Sequence, residues 1–175
     1  MNKYKRIVAT SLTVIVILLT VGCDQGTKAI VRSYLEDGKV VSLLGGVLVV
    51  RYVDNQGAFL SVGARLPGHI RQVVLIAIPL AFLASVVMYV VRKKGIRMLL
   101  AMGLSCIAGG GAGNLLDRVV RGGKVGDFLN IGFGALHTGI FNVADLCIML
   151  GSLLLIIDAS RGSSCERIRH SRFQS

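Results

Sequence analysis

Two aspartates, Asp127 and Asp145, stand near the start and at the end of the segment VGDFLNIGFGALHTGIFNVAD, and the stretch between them is apolar and glycine-rich. Asp145 is followed directly by LCIMLGSLLLII, which carries no charge. A carboxylate at the mouth of such a run lies at a membrane boundary, where charges are usually either solvated or functional. Two carboxylates that share one proton can divide general acid–base work between them. One removes a proton from water, while the other protonates the leaving group or holds the carbonyl oxygen. Peptide hydrolysis by this route needs neither a metal nor a covalent nucleophile. No other hydrolytic set competes: there is no H-E-x-x-H and no G-x-S-x-G, and His69, His137 and His170 are scattered. A proton or ion pathway would want acids in mid-span, whereas these cluster at the ends.

Each carboxylate also has a purely structural reading. Asn142 is a good N-cap and Asp145 falls at the third helical position, where a carboxylate favours a helix start. The same spacing puts Asn142 and Asp145 on one helical face, so both could point into a common site. Asp127 lies in the extended Val125-Gly126-Asp127-Phe128 after Gly122-Gly123, and could be a solvated loop aspartate. Asp117 and Arg118, at a helix end, read most simply as an ion pair with each other.

The elements that must position these groups are membrane spans. The 175 residues are 53% hydrophobic and 17% charged, too apolar for an ordinary soluble domain. The net charge of +11 would raise nucleic-acid binding in a soluble protein. Here Trp is absent and the basic residues sit between long apolar runs, so they read as membrane-flanking and no nucleic-acid partner is expected. Four runs are long enough, or nearly so, to span: residues 7–23, 73–91, 98–116 and 141–157. Pro79 is tolerable in lipid and is expected to kink its helix. GGGAG at residues 109–113 lacks the Lys and Ser/Thr of a phosphate loop and reads as small residues that let helices approach closely. The segment from Asp24 to Arg71 is mixed in charge. Within it, Val40–Leu44 and Val47–Val53 read as two strands joined at Gly45-Gly46, a small β element on the membrane surface. Pro67 is expected to open a short interfacial helix. Residues 118–139 form a second mixed loop, and 158–175 a frayed basic tail. Cys23, Cys106, Cys147 and Cys165 show no ligand spacing and read as small buried hydrophobes. The fold class expected is therefore an integral-membrane all-α bundle of four transmembrane helices, one domain over 1–175, with a small extracytoplasmic β element.

The basic n-region, apolar run and Val21-Gly22-Cys23 resemble a cleavable lipoprotein signal, but Thr20 and three further spans argue against processing there. Placing both termini and the short, basic 92–97 loop on one side gathers 11 of the 20 Lys and Arg there, so that side is taken as cytoplasmic. Asp24, Asn55, Asn114–Arg118, Asp127 and Asn142–Asp145 then converge on the outer face.

Ordered blocks of these residues resemble bacterial lipoprotein signal peptidase, the signal peptidase II family. They are Asp24-Gln25-x-x-Lys28, Asn55-x-Gly57-Ala58-Phe59, Gly113-Asn114-x-x-Asp117-Arg118, Val125-x-Asp127-Phe128 and Phe141-Asn142-x-Ala144-Asp145. The resemblance implies an aspartic endopeptidase of the plasma (inner) membrane, without cofactor or metal. It would cleave diacylglyceryl-modified prolipoproteins just before the lipidated cysteine and would act as a monomer among membrane lipids. It implies Asp127 and Asp145 as the catalytic pair and Asn55, Asn114, Arg118 and Asn142 as residues that line the site and hold substrate backbone. Asp24, Lys28 and Asp117 would be supporting residues. The chain departs from the usual pattern at Gly126, where a branched aliphatic is commoner. It also departs in the single Ala before Phe59 and in the longer Asp117–Asp127 interval. A non-catalytic transporter or lipid-binding scaffold is the reading that remains if the aspartates do no chemistry.

Overall fold

The structure, a computed structural model, describes residues 3–57, 67–93, 95–134 and 136–171. Helix α1 runs Lys3–Leu35. It continues twelve residues past the end of its charge-free run because Asp24 and Lys28, at i and i+4, pair on a buried face of the helix instead of ending it. Its end is marked by Gly38 in the left-handed region. The helix expected at Pro67 begins at Gly68 (α2, Gly68–Gln72) and continues through one π turn, Val73–Ala77, into α3, Ile78–Arg92. Pro79 explains the wide turn: it has no N–H for the carbonyl four residues back, and its ring crowds that carbonyl. Helix α4 spans Met98–Val120. The final helix, α5, spans Val143–Ser171. The 158–175 segment expected as a frayed tail is therefore helical as far as Ser171. Four of these stretches, Ile7–Leu35, Gly68–Arg92, Met98–Val120 and Val143–Arg161, are long and apolar enough to cross a membrane.

Helix α4 is the central element, packing on α1, α3 and α5. Leu83, Val86, Ala108 and Leu115 form its core contact with α3. Toward α1 and α5 it presents glycine. A Cβ on Gly103 would stand 2.9 Å from the Gly151 carbonyl oxygen, and one on Gly151 would stand 2.6 Å from the Gly103 carbonyl oxygen, so the two backbones touch. Gly110 meets the Ala144 carbonyl in the same way, and Gly113 lies against the Asp24 carboxylate. Close approach, and not a ligand loop, is what the glycines serve. Outward-facing Leu18, Leu19, Phe82, Met149 and Ile156 are exposed, as lipid-facing side chains must be.

The β element has four antiparallel strands in the order β1 (Val40–Leu43), β2 (Leu48–Asn55), β3 (Val125–Phe133) and β4 (Leu136–His137). The expected hairpin forms the first half. The second half falls where a mixed loop was expected. Its register runs Leu48↔Ile131 to Val50↔Leu129, then Val53↔Asp127 to Asn55↔Val125, with an extra residue in β2 between. That bulge puts Asn55 diagonally across from Asp127 on one face of the sheet. Helix α4 reaches β3 through a tight stop: Gly122 is left-handed, and the Gly123 N–H bonds the Arg118 carbonyl at 2.7 Å. The isolated bridge Leu129↔Phe141 then returns the chain to the start of α5.

Candidate active site

The start of α5 is built from side chains that are themselves part of the site. Asn142 Oδ1 accepts the Asp145 N–H at 3.0 Å, and Asp145 Oδ2 accepts the Asn142 N–H at 3.2 Å, a reciprocal cap. The orphan N–H of Ala144, between them, donates to Asp24 Oδ1 at 3.0 Å. Because Asn142 spends its oxygen on the cap, its NH2 must face elsewhere. It donates to Asp127 Oδ1 at 2.7 Å and to Asn114 Oδ1 at 3.0 Å. Asn114 is oriented in turn by Lys28, which can only donate and bonds its Oδ1 at 3.1 Å. The Asn114 NH2 is thereby turned to Asp145 Oδ1 at 2.9 Å. The second oxygen of Asp127 accepts from Asn55 Nδ2 at 2.9 Å. Asp127 from the sheet and Asp145 from a helix mouth are thus joined through Asn142 and Asn114.

Beneath this network lies a buried ionic layer. Lys28 Nζ stands 2.7 Å from Asp24 Oδ2 and 2.9 Å from Asp117 Oδ2. Gln25 Nε2 ties the same two carboxylates together at 3.1 Å and 2.9 Å. Asp117 also accepts the Gly126 N–H at 3.1 Å, fixing β3 one residue before Asp127. Asp117 and Arg118 do not pair with each other as expected: one helical step turns Asp117 inward to Lys28. Arg118 reaches the Gly57 carbonyl at 3.0 Å, and its buried Nε has no partner among the described residues. Asp24 and Asn142 are fully buried, Asp127 is buried, and Asp145 is half-buried.

Burial pushes the Asp127 carboxyl up to about 6, and the like charge of Asp145 adds to this, while hydrogen bonds from Asn55 and Asn142 pull the other way. A carboxyl titrating there, beside a second one, can both hold and release a proton near neutral pH. Among the described residues no three His, Cys, Asp or Glu side chains converge so as to hold a metal ion. Cys23 is exposed, not buried, and Cys106 and Cys147 are half-buried free thiols.

Of the nine residues singled out in the sequence, eight share one connected set of hydrogen bonds. Arg118 joins it through Gly57, whose N–H donates to Asn55 Oδ1 at 2.9 Å. Ala58 and Phe59 lie outside the described residues. Gln25 and the backbone N–H groups of Ala144 and Gly126 were not singled out. Gln25 stood inside the first block and was the one legible signal. Gly126 has a local cause as well: a Cβ there would stand 2.8 Å from both Tyr52 Oη and Arg121 Nη1. Those side chains fill the space a branched aliphatic would take, with Arg121 over the Tyr52 ring and paired to Asp54 at 2.6 Å.

Comparison with known proteins adds an independent line. The family described as signal peptidase (SPase) II matches residues 16–161. The lipoprotein signal peptidase of Geobacter metallireducens is 34% identical over 147 residues, 84% of this chain and 89% of that protein. That of Syntrophus aciditrophicus is 30% identical over 148 residues, 82% and 91% of the two chains. That of Treponema pallidum is 35% identical over 144 residues, 79% and 77%. Two solved structures, each described as a bacterial membrane enzyme, superpose with TM-scores of 0.77 and 0.73. The first is 24% identical and covers 88% of this chain and 90% of its own. The second is 25% identical and covers 85% and 92%. The chain belongs to the signal peptidase II family and is a multi-pass membrane peptidase.

Proposed function

We propose that this peptidase removes signal peptides from diacylglyceryl-modified prolipoproteins, cutting on the N-terminal side of the lipidated cysteine, with Asp127 and Asp145 as the catalytic pair. The observation that carries this reading is the amide bridge between the two carboxylates at the mouth of a membrane span. A substrate anchored by its acyl chains can keep them in the bilayer while its cysteine junction reaches that depth. With one proton shared by the pair, the ionised carboxylate takes a proton from water as its oxygen attacks the scissile carbonyl. The protonated partner gives its proton to the carbonyl oxygen. As the C–N bond breaks, a proton passes to the departing amine and the shared proton is restored. Asn55, Asn114 and Asn142 are positioning residues that spend their NH2 groups on the carboxylates. Arg118 orders the chain at Gly57, and Asp24, Lys28 and Asp117 hold the helix mouth. The whole chain acts as one monomeric domain in the inner membrane, surrounded by lipid, with cytoplasmic termini and its site at the outer face.

The test is cleavage of a lipidated prolipoprotein by purified, detergent-solubilised enzyme. Asp127→Asn and Asp145→Asn should each lower kcat by about two to four orders of magnitude while inserting into the membrane like the parent. Near-parental rates in both would sink the assignment. Activity of the parent should be bell-shaped in pH, reporting the pair and not either residue alone.

A further inference from the structure

The sheet changes character from one end to the other. At the end beside the candidate site it carries Asp54 and Asp127, and Arg121 and Lys124 reach Asp54 from the turn before β3. The far end carries no charge at all: residues 40–50, VVSLLGGVLVV, and 128–141, FLNIGFGALHTGIF, contain no Lys, Arg, Asp or Glu. The register brings the two hairpin turns together there, since Leu43 pairs with Leu48, Leu48 with Ile131 and Phe133 with Leu136. The Gly132 N–H bonds the Val47 carbonyl at 2.8 Å and locks one turn beside the other. The side chains at this tip point away from the protein: Leu44 is 77% exposed, Phe133 81% and Leu136 81%, with Leu43 and Ile131 also exposed. Between them lies an open hollow of about 320 Å³ bounded by Val47, Ile131, Phe133 and Leu136, with His137 and Thr138 as its polar wall. A cluster of this kind on a part bathed only in water would be an association hazard.

We propose that this double-hairpin tip is immersed in the membrane leaflet on the candidate site's side, with lipid glycerol and acyl groups as its occupant. Two observations favour lipid over a protein partner. The tip is continuous with the bilayer boundary, because Phe141, bridged to Leu129, immediately precedes the cap of a spanning helix whose Leu146, Met149 and Leu150 face outward. It also offers no charged group for a protein partner to recognise, whereas the interfacial depth favours an uncharged, aromatic-tipped surface. Phe133 lies roughly 20 Å along β3 from Asp127, at about 3.3 Å per residue. The sheet therefore lies along the membrane like an outrigger, and its tip sets the depth and tilt at which Asp127 meets the lipid surface.

The chain has no tryptophan, so Phe133→Trp creates a single reporter. In proteoliposomes its emission should be lost to lipids brominated on the acyl chain and should be protected from aqueous iodide. Tyr34→Trp, exposed near the end of α1, is the control and should show the reverse. Quenching of Phe133→Trp by iodide alone would overturn the proposal, and so would quenching by neither agent, which would mean cover by protein. Leu136→Trp repeats the measurement should the first variant fail to fold. This readout needs no activity and stands apart from the aspartate assignment. A second arm rests on the proposed substrate: Phe133→Ser with Leu136→Ser should raise KM several-fold in proteoliposomes and leave it unchanged in detergent. An equal rise in both would assign the tip to substrate contact and not to the bilayer.

Discussion

Asn142 joins three functions in one side chain: its oxygen caps α5, its NH2 holds Asp127, and the same NH2 meets Asn114. Such a shared donor explains why Asp127 can be buried and still be placed. Burial outweighs the pull of that donor and leaves the Asp127 carboxyl with a native pKa of about 6, above the 3.8 of an exposed aspartate. The folded state then binds more protons than the unfolded chain between those values, so this group lowers stability as pH rises from about 4 to about 6 and contributes no further change above that. Two pKa units correspond to about 3 kcal/mol. Asp127→Asn abolishes the titration, so its thermal midpoint relative to the parent should climb across that window, from parity or below at pH 4, and level off beyond it. A difference in midpoint that stays flat from pH 4 to pH 7 would show that Asp127 does not titrate there. Lys28 gives the opposite case. Its three N–H groups go to Asp24, Asp117 and Asn114, all buried. Lys28→Met strands two carboxylates and should cost about 3–5 kcal/mol, visible as a lowered melting temperature in detergent along with weakened cleavage.

Helix α4 works as a rail because its glycines admit neighbouring backbones, and the consequence differs glycine by glycine. Gly113→Ala would press a Cβ to 2.7 Å from Asp24 Oδ2 and displace the carboxylate that caps Ala144. Overpacking of this kind costs about 1–3 kcal/mol, and here it should also lower kcat, since it moves the helix carrying Asp145. Gly22→Ala, on α1 with open space around its Cβ, should leave activity intact and stabilise by up to about 1 kcal/mol. Equal behaviour of the two variants in melting and turnover would refute the distinction. The helices were legible in the sequence because a charge-free run announces itself, and their true ends were not. Asp24 and Lys28 look like a stop signal in one dimension, and only their burial against Asp117 from α4 turns them into helix interior. Strand β3 was hidden for a related reason. Its glycines weaken any local strand signal, and its partners in β2 lie seventy or more residues earlier, so only the pairing defines it. The same holds for the candidate site: the carboxylates and amides could be named in advance, but which amide holds which carboxylate depends on the bulge in β2 and the cap of α5.

Seen end to end, the molecule separates two kinds of charge. At the end of α4 and α5 remote from the candidate site, Asp158 is buried and pairs at 2.6 Å with Arg97, which is half in solvent, beside the basic residues of the 92–97 turn. At the site end, cations and acids are matched within the fold, as Lys28, Arg121 and Lys124 each face a carboxylate. Basic residues are dense in the short 92–97 turn at that remote end, and it is Lys and Arg in short turns that are retained on the cytoplasmic side. An odd number of crossings would put the termini on opposite faces. The four spans here bring both to the remote end. In a cysteine-free background, Lys39→Cys, exposed beside β1, should react with a membrane-impermeant maleimide on intact spheroplasts. Ser160→Cys, exposed on α5 near Arg97, should react only after permeabilisation. The reverse pattern would invert the topology and put Asp127 and Asp145 in the cytoplasm, where a substrate whose mature part lies outside could not reach them. Labelling of both sites on intact spheroplasts would break the four-span arrangement itself.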